Sequence, residues 1–208
     1  MKDNFQNIYN KEYFDGPNSQ YNGGYKSNNT ELQRRLDLFN KFDFDSFLDI
    51  GCGNGYLVQG LKVIGKEANG FDISEYIIKR DGIDNICIGD VLKFPYKEKY
   101  DLIFSADLME HLDINRIDKC CEQCKEQANK HIIHIISTSY EKEIGDGSKL
   151  EGMDNGHISM YTQNWWINKF KQHFEGWNIQ LRFGLFYIIL GGEKFNTTIF
   201  MLSKDEIR

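Results

Sequence analysis

The chain has 208 residues, 40% of them hydrophobic and 27% charged, which suits one domain with a sizeable buried core. Its formal net charge is −6 and its pI about 5.4, with no block of Lys or Arg. That balance argues against a nonspecific nucleic-acid surface, which needs a positive field, and no apolar run reaches the ~18 residues of a membrane helix.

Residues 1–30 mix Asn, Gly and Ser with Tyr9, Tyr13, Tyr21 and Tyr25. Turn residues and low hydrophobicity suit a flexible arm, but the tyrosines exceed what a linker needs, so a lid folded on the rest of the chain is favoured. The polar start has no signal-peptide character, and a cytoplasmic location is expected. Thr30–Lys41 is helical by period, with Thr30 placed to cap it. Phe47–Gly55 (Phe-Leu-Asp-Ile-Gly-Cys-Gly-Asn-Gly) reads as a buried parallel strand turning sharply into a helix. Glu67–Asp72 is a second strand closed by an acid, and Asn85–Val91 a third, closed by Asp90. Tyr100–Ala106 is a fourth, leading into Asp107-Leu-Met-Glu110-His111. A helix is predicted between Asp113 and Asn129, then a fifth strand over His131–Ser137 and an acidic loop over Glu141–Gly156. Thr162 caps a helix carrying Trp165 and Trp166, of which only one can face the core fully. Trp177–Phe183 and Phe195–Ser203, joined through Gly191-Gly192, suit a final antiparallel pair. Five cysteines stand without a second Cys/His cluster at zinc spacing, so they are expected to be structural thiols.

Gly51, Gly53 and Gly55 alternate after Asp49, and missing Cβ atoms let such a backbone take positive φ and approach a ligand closely. The spacing is G-x-G-x-G rather than the dinucleotide G-x-G-x-x-G, and no Lys follows as a phosphate loop requires. Here the chain resembles the class I S-adenosylmethionine-dependent methyltransferases, whose first motif is D-x-G-x-G-x-G. The resemblance covers roughly residues 46–137 and implies an α/β fold, a doubly wound, seven-stranded Rossmann-like sheet with an antiparallel last strand. It implies S-adenosylmethionine as cofactor, held by Asp49, Gly51, Cys52, Gly53, Asn54 and Gly55. Asp72 and Ile73 would lie at the ribose, Asp90 at the adenine amino group and the Val91 N–H at a ring nitrogen. Ser105 and Tyr25 complete the expected cofactor contacts. Residues 1–41 form a lid and helical leader in this reading, and 42–208 the methyltransferase domain.

The acceptor side carries less information. The Asn/Asp-Pro-Pro-aromatic motif of methyltransferases acting on planar amides or adenine is absent, and Ser105-Ala-Asp107-Leu stands in its place. An oxygen acceptor is therefore favoured. On a helix Asp107, Glu110 and His111 project from one face. The pattern resembles divalent-metal sites in ubiquinone-pathway O-methyltransferases and small-RNA 2′-O-methyltransferases, with Asp107 one methylene shorter than the usual Glu. A distant His completes the small-RNA set, and His157 is the counterpart here. Asp107, Glu110, His111 and His157 are thus candidate ligands for Mg²⁺, Mn²⁺, Fe²⁺ or Zn²⁺. His111 and His157, with Glu110, are also candidates for metal-free proton abstraction, since an ordinary imidazole pKa near ~6.5 suits that task. A purely structural role for them is the third reading.

The tyrosine-rich leader resembles those of methyltransferases in surface-glycan pathways. That implies a sugar hydroxyl or a phosphoryl/phosphoramidate oxygen of a glycan precursor as acceptor. The alternatives are N-methylation of a small amine and a non-catalytic S-adenosylmethionine-binding partner subunit. The expected partners are small molecules, with neither nucleic acid nor membrane, for a monomer or homodimer.

Overall fold

The computed structural model describes residues 5–17, 19, 21, 24–26, 28–139, 156–190 and 193–205. Strands β1 (Ser46–Ile50), β2 (Glu67–Asp72), β3 (Ile86–Ile88), β4 (Tyr100–Ala106), β5 (Ala128–Ser139), β6 (Asn178–Leu190) and β7 (Glu193–Ser203) form one sheet. Its order is β3-β2-β1-β4-β5-β7-β6. The first five strands are parallel to their neighbours, while β7 runs antiparallel to both β5 and β6. The chain leaves β1 outward through β2 and β3, then returns to the other side of β1 as β4. That reversal creates a crevice at the carboxyl ends of β1 and β4, where open sheets of this kind bind ligands.

Period-two alternation sorts the central strands between two apolar layers. Phe47, Leu102 and Phe104 face a layer built with Phe39, Leu57, Val58 and Leu61, the latter three from α4 (Tyr56–Val63). Leu48, Ile50 and Ile103 face Ile117, Cys120, Cys121 and Cys124 of α6 (Ile114–Gln127) and Trp166, Phe170 and Phe174 around α7 (Gln163–His173). The cysteines are free, and all three on α6 are fully buried, as small apolar fillers. Trp166 is fully buried, whereas Trp165 stacks on Tyr161 with ring centroids 3.7 Å apart. Thr162 accepts from the Trp165 N–H as the N-cap of α7.

Several boundaries differ from those read in the sequence. The cap of α3 (Asn29–Phe39) is Asn28, whose side chain accepts from the Thr30 and Glu31 N–H groups; Thr30 lies inside the helix. Asn outcompetes Thr there because its carbonyl reaches both orphan donors. Strand β3 stops at Ile88, because Asp90 turns back through its own carbonyl to the Lys93 N–H. Strand β5 runs longer than predicted at both ends, because Ala128 pairs with Tyr100 of β4 and β7 pairs the strand on to Ser139. The acidic loop, apart from Gly156, and the Gly191-Gly192 junction lie outside the described residues.

The leader carries two short helices, α1 (Phe5–Ile8) and α2 (Lys11–Asp15). It is pinned to α5 (Glu75–Asp81) by Arg80, which donates to both Asp15 oxygens at 2.9 and 3.1 Å and to the Tyr25 carbonyl at 2.8 Å. Tyr76 adds a hydrogen bond to Asp15 at 2.6 Å. Among the described residues no helix is long and apolar enough to cross a membrane.

Candidate active site

The crevice is a cavity of about 360 Å³, within the range of small-molecule sites. Its floor is the turn between β1 and α4. Gly51, Gly53 and Gly55 have φ of 71°, 55° and 75°, a left-handed backbone that glycine takes at least cost. The Gly51 and Cys52 N–H groups both donate to the Phe71 carbonyl, tying the turn to β2. Asp72 at the end of β2 accepts from the Gly53 N–H at 3.0 Å and the Ser74 N–H at 2.8 Å. Its carboxyl is nevertheless raised above the ordinary range, because burial outweighs those donors. Burial, with Asp72 nearby, pushes Asp49 up to about 7, against the opposing charge of Arg35. The Cys52 thiol is raised for the same first reason, so it is not a reactive thiolate.

The leader supplies the opposite wall. Tyr9, Tyr13, Phe14, Tyr21 and Tyr25 line the cavity and pack mostly edge to face, as in the Tyr21–Tyr25 pair at 4.8 Å. Tyr25 lies directly over the glycine turn: a Cβ built on Gly53 would stand 2.7 Å from its hydroxyl. Arg35 of α3 also faces the cavity, bonded to Glu31 at 3.2 Å and lying over the Phe104 ring.

Past β4 the backbone departs from the expected helix. Asp107 has φ of 51°, and only a single 3₁₀ turn, Met109–His111, follows. Asp107, Glu110 and His111 therefore do not share one helical face. Asp107 opens onto the cavity, while the fully buried Glu110 turns to β5 and accepts from the Ser137 N–H at 2.9 Å. The Glu110 carbonyl accepts from the Ile158 and Ser159 N–H groups, which carries His157 to His111. Their rings meet edge on with centroids 4.5 Å apart. One ligand atom from each of Glu110, His111 and His157 lies within 4.8 Å of the others. Asp107 is outside that group, a correction to the four-ligand set: its left-handed backbone directs it to the cavity instead. Burial first, then the Asp107 charge, pushes the Glu110 carboxyl up to about 8, and its second oxygen has no hydrogen-bond partner.

A profile described as a methyltransferase domain matches residues 42–182. The chain belongs to this methyltransferase family. It is an S-adenosylmethionine-dependent methyltransferase. Solved structures carry the same fold at low identity. The magnesium protoporphyrin IX methyltransferase of Synechocystis, with bound S-adenosylmethionine, is 16% identical, with 85% of this chain and 77% of that one covered and a TM-score of 0.57. Phosphoethanolamine N-methyltransferase 2 of Haemonchus contortus, with phosphomonomethylethanolamine and S-adenosylhomocysteine, is 13% identical, with 94% and 56% covered and a TM-score of 0.65. The methyltransferase domain of a bacterial Hen1 is 18% identical, with 83% and 97% covered and a TM-score of 0.58. Comparison with curated protein sequences returns no match.

In this methyltransferase, Asp49, Gly51, Cys52, Gly53, Asn54, Asp72, Ile73, Asp90, Val91 and Tyr25 all line the one cavity. Two expected cofactor residues do not. Ser105 is fully buried and its hydroxyl meets His134 Nδ1 at 2.7 Å, because its position on β4 points it at β5. Gly55 begins α4 as a left-handed cap, where a Cβ would strike Ile86 at 2.8 Å, so its task is packing. Arg35, Arg116 and Tyr9 line the cavity without having been singled out in the sequence. For Arg35 a signal existed, an arginine on a helix running straight into β1; for Tyr9, only its place among the tyrosines. The remaining histidines are structural: His131 pairs with Ser203, His134 with Ser105 and His173 with Asp118.

Proposed function

We propose that this methyltransferase methylates an oxygen of a small polar acceptor, such as a sugar hydroxyl or a phosphoryl or phosphoramidate oxygen of a surface-glycan precursor. The observation that carries the oxygen assignment is the group Glu110, His111 and His157. A sugar hydroxyl, whose pKa lies far above neutral, is a poor nucleophile until a base takes its proton, so it gains more from such a group than an amine, which sheds its proton near neutral pH. His111 lines the cavity with His157 and the buried Glu110 behind it, a set that answers that need. The glycan class rests on the resemblance of the leader alone.

S-adenosylmethionine supplies a methyl group already activated on sulfur. The glycine turn, Asp49 and Asp72 hold its methionine and ribose portions, Asp90 and Val91 its adenine. The tyrosine wall excludes water from the reacting atoms. Asp107, facing the cavity, orients the acceptor. His157 takes the acceptor proton and passes it to solvent, with His111 beside it fixed by Tyr9.

The donor set also fits a divalent ion. Glu110 keeps one oxygen for the Ser137 N–H and leaves the other buried without a partner, next to two imidazoles. Glu110, His111 and His157 would hold the ion, which would lend Lewis acidity to lower the acceptor hydroxyl pKa.

A second reading, N-methylation of a small amine, draws on the aromatic wall: tyrosine faces with a carboxylate, Asp107, form a cavity suited to a cationic acceptor. A screen of nucleotide sugars, capsule precursors and small amines, read by S-adenosylhomocysteine release, separates the two. Turnover with a hydroxyl acceptor is expected. Turnover with amines alone would overturn the oxygen assignment.

A further inference from the structure

Asp90 lies beyond the end of β3, with its carboxylate on the cavity wall, and Arg116 stands across from it in the first turn of α6. The Arg116 side chain is only 8% exposed, an unusual place for a guanidinium unless it is paired. Its Nη1 donates to Asp90 Oδ1 at 2.8 Å, and the Leu92 N–H donates to the same oxygen at 3.0 Å. Asp113, the cap of α6, secures the arginine from behind: Oδ1 accepts from its N–H at 2.9 Å and Oδ2 lies 3.8 Å from Nε. Oδ1 of Asp90 is thus doubly occupied, while Oδ2 receives no hydrogen bond from the described residues.

We infer that Arg116 is a positioning residue that fixes the Asp90 carboxylate so that Oδ2 reads a purine 6-amino group, making this chain selective for adenine over hypoxanthine. The inference rests on the cofactor reading above and deepens it. A carboxylate free to rotate would present either oxygen and leave either face of the base. With Oδ1 bound by two donors, the outward oxygen is an acceptor in a fixed direction. A 6-amino group donates to it, whereas a 6-oxo group meets it acceptor to acceptor, and sites built to bond one exocyclic group reject the other strongly.

The same geometry dictates what an amide does at this position. In Asp90→Asn the carbonyl oxygen must take the Oδ1 place, because both Arg116 and Leu92 present donors there. The amide NH₂ then points outward, where it pairs with a 6-oxo group and opposes a 6-amino group. Arg116 therefore determines which way the amide faces.

Calorimetric titration with S-adenosylhomocysteine and with its inosine counterpart tests this, using the full chain. The native protein is expected to prefer the adenine ligand by at least about tenfold, the scale of one charge-assisted hydrogen bond. Asp90→Asn should shrink the preference about tenfold or more, whether or not the order of the two ligands reverses, because the hypoxanthine N1–H still differs from adenine N1 at the Val91 N–H. Adding Arg116→Gln to Asp90→Asn should undo that shift, and Arg116→Lys should retain most of the native preference. Equal binding of the two ligands by the native protein, or a loss common to both ligands in Arg116→Gln, would overturn the inference. If Arg116→Gln does not fold, Asp90→Asn decides alone: an unchanged preference there refutes a carboxylate oriented by Arg116. Failure of native, folded protein to bind S-adenosylhomocysteine at all would instead refute the cofactor reading.

Discussion

The Tyr9 hydroxyl meets His111 Nδ1 at 3.2 Å, so a residue of the leader touches a histidine that lines the cavity. The Tyr9 carbonyl in turn accepts from the Ser74 hydroxyl, and the Ser74 N–H holds Asp72. One tyrosine thereby connects His111 with Asp72, through Ser74, across the cavity. The contact holds the His111 ring in one orientation, edge on to His157. Tyr9→Phe keeps the ring and removes the hydroxyl. Turnover should fall about 3–10-fold, the scale of one hydrogen bond. Affinity for S-adenosylhomocysteine should hold, which steady-state kinetics and calorimetry together can check.

Arg80 ties the leader to α5 through Asp15 and the Tyr25 carbonyl. Arg80→Ala removes these bonds while leaving the sheet untouched. Cleavage within residues 1–30 by a nonspecific protease should accelerate, and S-adenosylhomocysteine should bind several-fold more weakly as the tyrosine wall opens, on the order of 1 kcal/mol. An unchanged digestion pattern would mean that the aromatic contacts alone hold the leader.

Asp49 makes stability depend on pH in a direction opposite to that of an ordinary ion-paired carboxylate. Its carboxyl titrates at about 7 in the folded chain against 3.8 as the reference value. Between those values the folded state binds more protons than the unfolded state. Its share of stability is therefore present below the lower value and is lost as pH rises toward the upper one, at up to about 1.4 kcal/mol per pH unit. Asp72 and Glu110 are shifted the same way, so the test is a difference. The melting temperature of Asp49→Asn relative to the native chain should climb between about pH 5 and about pH 7, then level off.

Gly53 combines a left-handed backbone with a close neighbour. Gly53→Ala strains the turn and presses on the Tyr25 hydroxyl, so it should cost about 1 kcal/mol or more in stability and weaken cofactor binding. Gly176, also at positive φ but with nothing near its Cβ position, isolates the backbone part of that cost. A Gly176→Ala variant should lose stability without losing cofactor affinity.

That Asp49, Asp72 and Asp90 line the cavity was readable in the sequence because the pattern is local: Asp49 stands next to last in β1, Asp72 ends β2 and Asp90 follows β3, all at the carboxyl edge of the sheet. The antiparallel end of the sheet was readable for the same reason, since period two and a glycine-bearing junction suffice. The acceptor half was not, because it is assembled over long separations. Glu110 receives its partner from Ser137 on β5, and His157 reaches His111 only because Ile158 and Ser159 dock on the Glu110 carbonyl. The i, i+3, i+4 pattern suggested a helix where the chain makes a left-handed residue and one 3₁₀ turn. Asp107 therefore lines the cavity outside the group of Glu110, His111 and His157. Ser105 was misplaced by the alternation of a strand: Ala106 next to it lines the cavity, whereas Ser105 is buried on the other face against its register partner His134.

The central claim is that Glu110, His111 and His157 act as one group beside the acceptor, and calorimetric titration of Mn²⁺ into EDTA-stripped protein tests it most directly. The native chain should bind one ion, and His111→Ala, His157→Ala and Glu110→Gln should each abolish that binding. S-adenosylhomocysteine affinity should stay within about threefold in all three, since none lies among the cofactor residues. Chelation should also stop turnover, and Mn²⁺ or Mg²⁺ should restore it. Metal-free protein turning over at the full rate, with no Mn²⁺ bound by the native chain, would contradict the metal-assisted account and leave His157 as the base.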